Sequence, residues 1–307
     1  YAGGAWSMSV HDFWTPFALE PFISALVIGL SLASIWLVAA LGLTIIYGTM
    51  GVINMAHGEF IMLGAYITWM LQYFLGVPWI LCLPISFVVV ALFGWLVERG
   101  LIRHLYDRPL DTLLATWGVS LVLIQSVRLI FGGEPQYVDT PDWLSHVATI
   151  GFLHVPWIRI FIFGLALGLV AMTWAVLYKS NFGIQIRSVM QNREMAASFR
   201  INSSKVYGLT FAYGAGLAGI SGSMFFGLKT IFPDMGLGYV VEAFLVVVTG
   251  GGELFGSLAT AGIMGELFSV FSYFTNDTFA RFVLFVLIVV FLRFRPQGIF
   301  SPSMARR

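Results

Sequence analysis

The sequence predicts an all-α polytopic membrane protein, and three observations lead to that class. The 307 residues are 59% hydrophobic and only 10% charged, whereas a water-soluble domain carries about 25% charged residues. Their mean hydropathy is +0.89. The apolar residues fall in runs close to the 20 or so residues that a helix needs to cross a bilayer. Helices are expected throughout, because open strands would leave backbone groups unsatisfied in lipid.

Eight apolar runs predict long membrane helices, and a ninth predicts a short or broken crossing at 239–249, which makes about 8–9 membrane segments. Gly76 and Pro78 interrupt the uncharged stretch from Phe60 to Val97 and predict a helical hairpin there. Residues 1–307 are predicted to form a single transmembrane domain. The long runs are 22–47, 56–75, 79–98, 112–131, 157–178, 206–228, 254–274 and 278–294.

The distribution of Lys and Arg predicts the orientation of the chain. Most of these residues lie in 98–111, in 179–205 and in the tail beyond 292, whereas 1–21 and 132–156 carry acidic residues and no Lys or Arg. Basic loops tend to stay in the cytoplasm. We therefore expect the N-terminus outside and the C-terminus in the cytoplasm.

The two halves of the chain resemble each other faintly. Gly58-Glu59-Phe60 opens one outward-running helix and Gly252-Glu253-Leu254 opens another, each followed about 40 residues later by an inward helix ending at Arg99 or Arg293. Transporters are often built from internal repeats. A parallel three-helix repeat and chance similarity are the two interpretations.

A first polar cluster lies in INMAHGEF, residues 53–60, where one apolar run ends and the next begins. Asn54, His57 and Glu59 are candidates for a pathway or gating role, because ionisable groups at membrane depth usually face a cavity or a partner. The alternative is a helix cap at the cytoplasmic interface, with Glu59 paired with a loop arginine. No metal site is predicted, since residues two apart on a helix point away from each other.

A second cluster lies in VVVTGGGELFGS, residues 246–257, with Glu242 one helical turn before it. Three successive glycines indicate a broken helix. Irregular backbone at membrane depth is tolerated where it lines a cavity or is covered by protein. Gly251, Gly252, Glu253 and Glu242 are therefore pathway candidates, and a tight turn at the cytoplasmic face is the alternative.

Motifs typical of enzymes do not carry their chemistry here. GAGLAG, residues 214–219, matches a dinucleotide fingerprint formally, but it lies within an apolar run and favours close helix packing instead. Ser221 would need a histidine on a neighbouring helix to act as a nucleophile. The sequence has no GxxxxGK[ST] loop and one cysteine, Cys82. We predict no catalytic residue, no metal site and no cofactor in this chain.

The basic stretch 179–205 carries five Lys or Arg residues against one acid. Apolar and polar residues alternate from 182 to 201 and predict one or two short amphipathic helices. Such a helix can lie on anionic lipid or dock into a groove on a cytoplasmic partner. The pattern alone leaves both interpretations open.

Five stretches of the sequence are familiar together. They are GVINMAHGEFIMLGAY (51–66), IRHLYDRPLDTLLATWGVSLVL (102–123), QNREMAASFRI (191–201), LTFAYGAGLAGISG (209–222) and RPQGIF (295–300). Through these stretches the chain resembles the branched-chain amino acid/urea type of ABC-importer membrane permease, and most of all its urea permeases. The resemblance covers about residues 22 to 300.

The resemblance implies that 182–201 is a cytoplasmic coupling helix that docks on an ATPase subunit. Such helices carry E-x-A-A followed by L-G-I. Glu194-Met195-Ala196-Ala197 matches the first part, whereas Arg200 stands where the family usually has glycine. The residues expected at the ATPase contact are Arg187, Gln191, Asn192, Arg193, Glu194, Ala196, Ala197 and Ile201.

The resemblance also implies the partners and the location. We expect a second related permease chain, two ATPase subunits that hold ATP and Mg, a periplasmic or extracellular solute-binding protein and the lipid of a bacterial inner (plasma) membrane; no nucleic acid is expected. The scarcity of deep charges favours urea or short-chain amides as solute. The alternative is branched-chain or other amino acids, and a passive channel or secondary transporter is a second alternative that leaves the basic stretch without a role.

Overall fold

The structure, a computed structural model, describes residues 16–106, 108–137, 141–150, 153–225, 228 and 230–299. The side chains of residues 16–20, 142, 150 and 153 are outside this description. The predicted positions of both termini, including the end of the RPQGIF stretch, concern residues outside the described part of the chain.

Long helices dominate the described residues, which confirms the predicted all-α membrane class. Each predicted apolar run corresponds to one helix, with ends shifted by a few residues. In chain order the helices are α1 Pro16–Met50, α2 His57–Leu75, α3 Trp79–Gly100, α4 Pro109–Phe131, α5 Asp142–Ser145, α6 Trp157–Lys179, α7 Asn181–Gln191, α8 Arg193–Ser198, α9 Ser203–Ser223, α10 Met235–Gly250, α11 Leu254–Phe274 and α12 Asp277–Phe294.

Within the described residues, five helices are long and apolar enough to cross a membrane by length and composition. The predicted short segment at 239–249 is part of α10, an apolar helix of 16 residues. At 1.5 Å per residue α10 spans about 24 Å, less than a full hydrocarbon core. The five long helices cover Pro21–Met50, Trp79–His104, Pro109–Phe131, Trp157–Lys179 and Leu254–Phe274.

The predicted hairpin between α2 and α3 is confirmed at Gly76 and Pro78. Gly76 has a φ of 59°, and its N–H donates to the carbonyl of Gln72 at 3.0 Å. Only glycine adopts this left-handed conformation without a steric penalty, so it ends α2. Pro78 then precedes the first residue of α3.

The connection between α4 and α6 contains a β-hairpin, which was not predicted from the sequence. Strands β1 Val147–Ile150 and β2 Leu153–Pro156 pair antiparallel, with Val147 opposite Pro156. β-Branched residues favour such strands, but four-residue strands are too short to give a clear alternation.

Helix α1 lies inside the bundle and packs against α6, α9, α10 and α11. Small residues permit the closest of these approaches. A Cβ atom at Gly214 of α9 would lie 2.6 Å from the carbonyl oxygen of Gly42 of α1. The GAGLAG stretch is therefore a helix-packing surface, and the hydroxyl of Ser221 donates to the carbonyl of Ile35 at 3.0 Å.

Candidate coupling and translocation site

The basic stretch forms two helices, α7 and α8, because polar side chains cap both of them. Ser180 Oγ accepts from the backbone N–H of Gly183 at 3.0 Å and starts α7. Asn192 has extended backbone, and its Oδ1 accepts from the N–H of Met195 at 2.9 Å. Asparagine at an N-cap favours a new helix over continuation of the previous one. The predicted 182–201 helix is therefore divided at Asn192.

Helix α8 ends in a Schellman turn in which Arg200 takes the glycine position. The N–H of Arg200 donates to the carbonyl of Ala197 at 3.0 Å, and the N–H of Ile201 donates to that of Ala196 at 3.1 Å. Arg200 has a φ of 61° and is the only non-glycine residue with positive φ in the part of the chain described. The turn usually carries glycine there, which explains why the E-x-A-A pattern is ordinarily followed by L-G-I.

Helices α7 and α8 have a small hydrophobic core of their own. Its buried residues are Ile186, Val189, Ala196, Val206 and Tyr207. Partly buried residues from other elements complete it, including Met50 at the end of α1, Leu177 near the end of α6 and Tyr106 from the α3–α4 connection. The two short helices are thereby joined to α1, α6 and α9.

Three of the predicted ATPase-contact residues face inward. The guanidinium of Arg187 donates to the carbonyl of Leu177 and lies 5.3 Å from the ring centroid of Tyr178. Arg187 thus binds the last turn of α6, where a cation is favourable. Ala196 is only 2% exposed, and Ile201 packs on the same small core.

An exposed groove of about 220 Å³ lies between α7 and α8, and four of the predicted contact residues line it: Gln191, Asn192, Ala196 and Ile201. Three further predicted contact residues, Arg193, Glu194 and Ala197, are exposed on α8. The guanidinium of Arg193 lies 5.7 Å from the ring centroid of Tyr207.

Two large apolar residues of the groove were not among the predicted contacts. Met195 is 58% exposed and Phe199 is 74% exposed, and they lie four residues apart on one face. Large apolar side chains exposed beside a polar rim are typical of protein-binding surfaces. The signal in the sequence that could have identified Met195 and Phe199 is the presence of large apolar residues among the charged residues of a short helix.

The α3–α4 connection packs against the small core beneath α7 and α8 through Tyr106. The hydroxyl of Tyr106 donates to the buried carboxylate of Glu98, and its ring lies 4.9 Å from that of Tyr207 in α9. Burial, and then the hydrogen bond to Glu98, raise the pKa of Tyr106 above its ordinary value. The hydroxyl therefore stays protonated and keeps its role as donor.

The glycine cluster forms a turn beside the same segment. Gly251 and Gly252 have φ values of 80° and 72°, and the turn joins α10 to α11. Gly252 and Glu253 line a cavity of about 180 Å³ together with Arg187 and the end of α1. The structure thus brings one predicted coupling residue and two predicted pathway residues to one place.

The C-terminal end of the described chain holds this turn. The N–H of Ile299 donates to the carbonyl of Thr249 at 2.7 Å. A Cβ atom at Gly298 would lie 2.6 Å from the backbone nitrogen of Gly251. The glycine turn is therefore covered by backbone on one side and open to the cavity on the other.

The start of α2 lies deep inside the bundle, not at its end. The Nε2 atom of His57 is 2.9 Å from the carbonyl oxygen of Ala39, which lies eleven residues, or about 16 Å, before the end of α1. The N–H of Met55 donates to Thr116 Oγ1 at 3.1 Å. The chain after α1 therefore folds back into the bundle before α2 begins, which corrects the alternative of a cap at the interface.

Glu59 is fully buried and bonded to a hydroxyl. Ser120 Oγ, near the middle of α4, donates to Glu59 Oε1 at 3.0 Å. Among the described residues no arginine pairs with this carboxylate, so the pairing with a loop arginine is wrong. Three buried polar atoms of the cluster have no hydrogen-bond partner within the described residues: Asn54 Nδ2, His57 Nδ1 and Glu59 Oε2.

Helix α10 begins against the start of α2. A Cβ atom at Gly236 would lie 2.6 Å from the carbonyl oxygen of Gly58 and 2.7 Å from Glu59 Oε2. Nearly two turns further along α10, the buried carboxylate of Glu242 pairs with Arg281 of α12 at 3.3 Å. Two helix N-termini thus meet inside the bundle, and Glu59 lies beside the contact.

The two Gly-Glu pairs occupy different environments. Glu59 is buried beside α4 and α10, whereas Glu253 is exposed at the turn next to the end of α1. This difference gives no support to equivalent roles for the two pairs, and the three-helix repeat stays a prediction.

Comparisons with known proteins identify relatives along most of the chain. Residues 25–292 match the sequence model of the family described as branched-chain amino acid transport system / permease component. The high-affinity branched-chain amino acid transport system permease protein LivH of Salmonella typhimurium is 29% identical over 272 residues, covering 81% of this chain and 84% of LivH. No solved structure matches the chain significantly.

Two further relatives carry related names. The permease protein BraD of Pseudomonas aeruginosa is 28% identical over 293 residues, covering 91% of this chain and 95% of BraD. The permease protein LivM of Escherichia coli is 23% identical over 243 residues, covering 72% of this chain and 57% of LivM. Because the family match spans most of the described helices, the chain belongs to the branched-chain amino acid permease family of ABC-type transport systems.

Proposed function

We propose that this chain is the membrane-spanning permease subunit of an ATP-driven importer for branched-chain or other amino acids. The curated relatives are named for branched-chain amino acid transport, and the family description agrees. These names favour the amino acid alternative, and nothing in the comparisons supports urea or short-chain amides. The protein is a multi-pass membrane protein whose proposed location is the bacterial inner membrane.

The observation that carries the proposal is the exposed groove on α7 and α8. It combines the apolar side chains of Met195 and Phe199 with the polar side chains of Gln191 and Asn192. An aromatic anchor within a polar rim is what a docking partner recognises. The partner is an ATPase subunit, which holds ATP and Mg.

Motion of this segment reaches the bundle through its contacts. The small core joins α7 and α8 to α1, α6 and α9, and Arg187 links α7 to the cavity that Gly252 and Glu253 line. ATP binding and hydrolysis favour one arrangement of the docked segment over another. Movement of the docked segment is transmitted to α10 and α11 through the glycine turn that joins them.

The start of α2 is the proposed gate. Asn54, His57 and Glu59 lie where the N-termini of α2 and α10 meet, and three of their polar atoms have no partner among the described residues. Buried polar atoms without partners are unfavourable. A rearrangement that opens a path here would supply them with water or solute.

Further partners follow from the family. Both LivH and LivM sequences match this chain, which supports pairing with a second, related permease chain. A solute-binding protein on the opposite side of the membrane would deliver the amino acid.

The test is purification of the complex from its own cells and reconstitution into liposomes. Phe199→Ser should reduce recovery of the ATPase subunits and ATP-dependent leucine uptake at least tenfold. Ile184→Ser is the matched control, because Ile184 is also exposed on α7 but lies outside the groove. Normal ATPase recovery with Phe199→Ser, or leucine flux that is independent of ATP, would contradict the proposal.

A further inference from the structure

Besides the cavity lined by Arg187, Gly252 and Glu253, a polar cavity lies at the end of the bundle opposite to α7 and α8. Its volume is about 120 Å³, and it lies between α1, α6, α11 and α12. Arg159 and Asp277 both line it, together with serine hydroxyls and the apolar side chains of Leu32 and Phe268. Arg159 is the third residue of α6, about 30 Å along that helix from Lys179, where the coupling segment begins.

Arg159 turns its guanidinium toward the bundle. Its Nη1 atom donates to Ser31 Oγ of α1 at 2.7 Å. The side chain is half-buried, and no carboxylate of the described residues lies within ion-pair distance of it. A guanidinium has five N–H donors in a planar fork, so donors remain for a further acceptor.

Asp277 supplies the opposite charge. Ser272 Oγ at the end of α11 donates to one of its carboxylate oxygens. Asp277 is the first residue of α12, where a negative charge is favourable. Its second carboxylate oxygen has no bond within the described part of the chain.

The two charges face one cavity without forming an ion pair with each other. Charges at the edge of a membrane bundle usually pair or contact water or substrate. A molecule that carries an anionic and a cationic group on the same carbon atom has one partner for each of these two side chains. The apolar side chains of Leu32 and Phe268 form another wall of the same cavity.

We propose that this cavity binds the amino acid where it enters the permease. The α-carboxylate binds the guanidinium of Arg159, a geometry that suits two parallel hydrogen bonds. The α-ammonium binds Asp277, and the aliphatic side chain packs against Leu32 and Phe268. This inference rests on the proposed function, since it assigns a site to the solute class proposed above.

The test uses the complete importer, with both permease chains, the ATPase subunits and the binding protein, in liposomes with leucine as the probe. Arg159→Gln and Asp277→Asn should each lower leucine uptake at least tenfold while the ATPase subunits still co-purify. Arg128→Gln is the control, because Arg128 forms an exposed ion pair with Asp234 and lies outside this cavity. Leucine uptake by the Arg128→Gln importer should stay within twofold of uptake by the unchanged importer.

A second readout separates binding from folding. Leucine should raise the melting temperature of the purified complex without the binding protein, because a ligand stabilises the state that it binds. Arg159→Gln and Asp277→Asn should remove that rise, and Arg159→Lys should restore part of it. An Arg159→Lys complex that melts lower and is as inactive as Arg159→Gln would assign Arg159 to helix packing and overturn the site.

The remaining outcomes distinguish the two proposals. If the unchanged importer does not take up leucine or another amino acid, the proposed function fails. If it takes up leucine, and Arg159→Gln and Asp277→Asn do so equally well, the site fails and the proposed function stands.

Discussion

Arg200 occupies a backbone conformation suited to glycine, so Arg200→Gly should strengthen the end of α8. Its φ of 61° lies in the left-handed region, which costs about 1–2 kcal/mol for a residue with a Cβ atom. Glycine loses about 0.5–1 kcal/mol more backbone entropy on folding than alanine. The difference predicts that Arg200→Gly stabilises the turn by about 0.5–1 kcal/mol.

The amide of Ile201 reports on this turn. It donates to the carbonyl of Ala196 at 3.1 Å only while the turn is closed. Because local opening controls hydrogen exchange, the stabilisation should slow exchange at Ile201 about 2–5-fold. Hydrogen exchange with mass spectrometry on the purified complex, over peptides that cover 195–202, measures the effect.

The control is Arg200→Ala. It removes the guanidinium but keeps a Cβ atom in the left-handed conformation, so exchange at Ile201 should not slow. Equal slowing by Arg200→Gly and Arg200→Ala would attribute the effect to the arginine side chain and refute the reasoning from backbone strain.

Three further predictions concern packing, capping and buried charge. Gly236→Ala should destabilise the complex by about 1–3 kcal/mol, because its Cβ atom would overlap the start of α2; Gly118→Ala, which meets nothing within 4 Å, is the control, and equal melting temperatures would contradict the prediction. Asn192→Ala should cost about 1 kcal/mol of α8 stability through loss of its cap, measured as faster amide exchange in α8; unchanged exchange would contradict it. Arg281→Met should lower the free energy of unfolding by about 2 kcal/mol or more, because the carboxylate of its partner Glu242 is only 4% exposed. Arg128→Met, which breaks an exposed ion pair, should lower it by under about 1 kcal/mol. Similar decreases in melting temperature for the two variants would contradict this prediction.

The helices could be predicted from the sequence because their signals are local. Gly76 and Pro78 end one helix and start the next through their own backbone preferences. The amphipathic pattern of residues 182–201 likewise predicted one or two short helices. The cap that divides them depends on Asn192 and Met195 alone.

The depth of the polar cluster could not be predicted, since it depends on distant contacts. His57 contacts Ala39 and Glu59 contacts Ser120, and no periodicity within 53–60 specifies these partners. The same applies to Arg187, which was expected at the ATPase contact but binds the end of α6. Arg159 lies near the start of α6 and Asp277 at the start of α12, and only the packing of α1, α6, α11 and α12 brings them to one cavity.

The buried start of α2 has a consequence for biosynthesis. When α1 and α2 leave the ribosome, His57 already has Ala39 available as a partner, but Ser120 lies 61 residues after Glu59 and has not yet been translated. Gly236, against which Gly58 packs, is made later still. A nascent carboxylate with no partner is unfavourable in lipid, so we expect residues 51–59 to stay hydrated until these partners have been made. On this reasoning we predict that α2 inserts to its final depth late, after α10 has been synthesised.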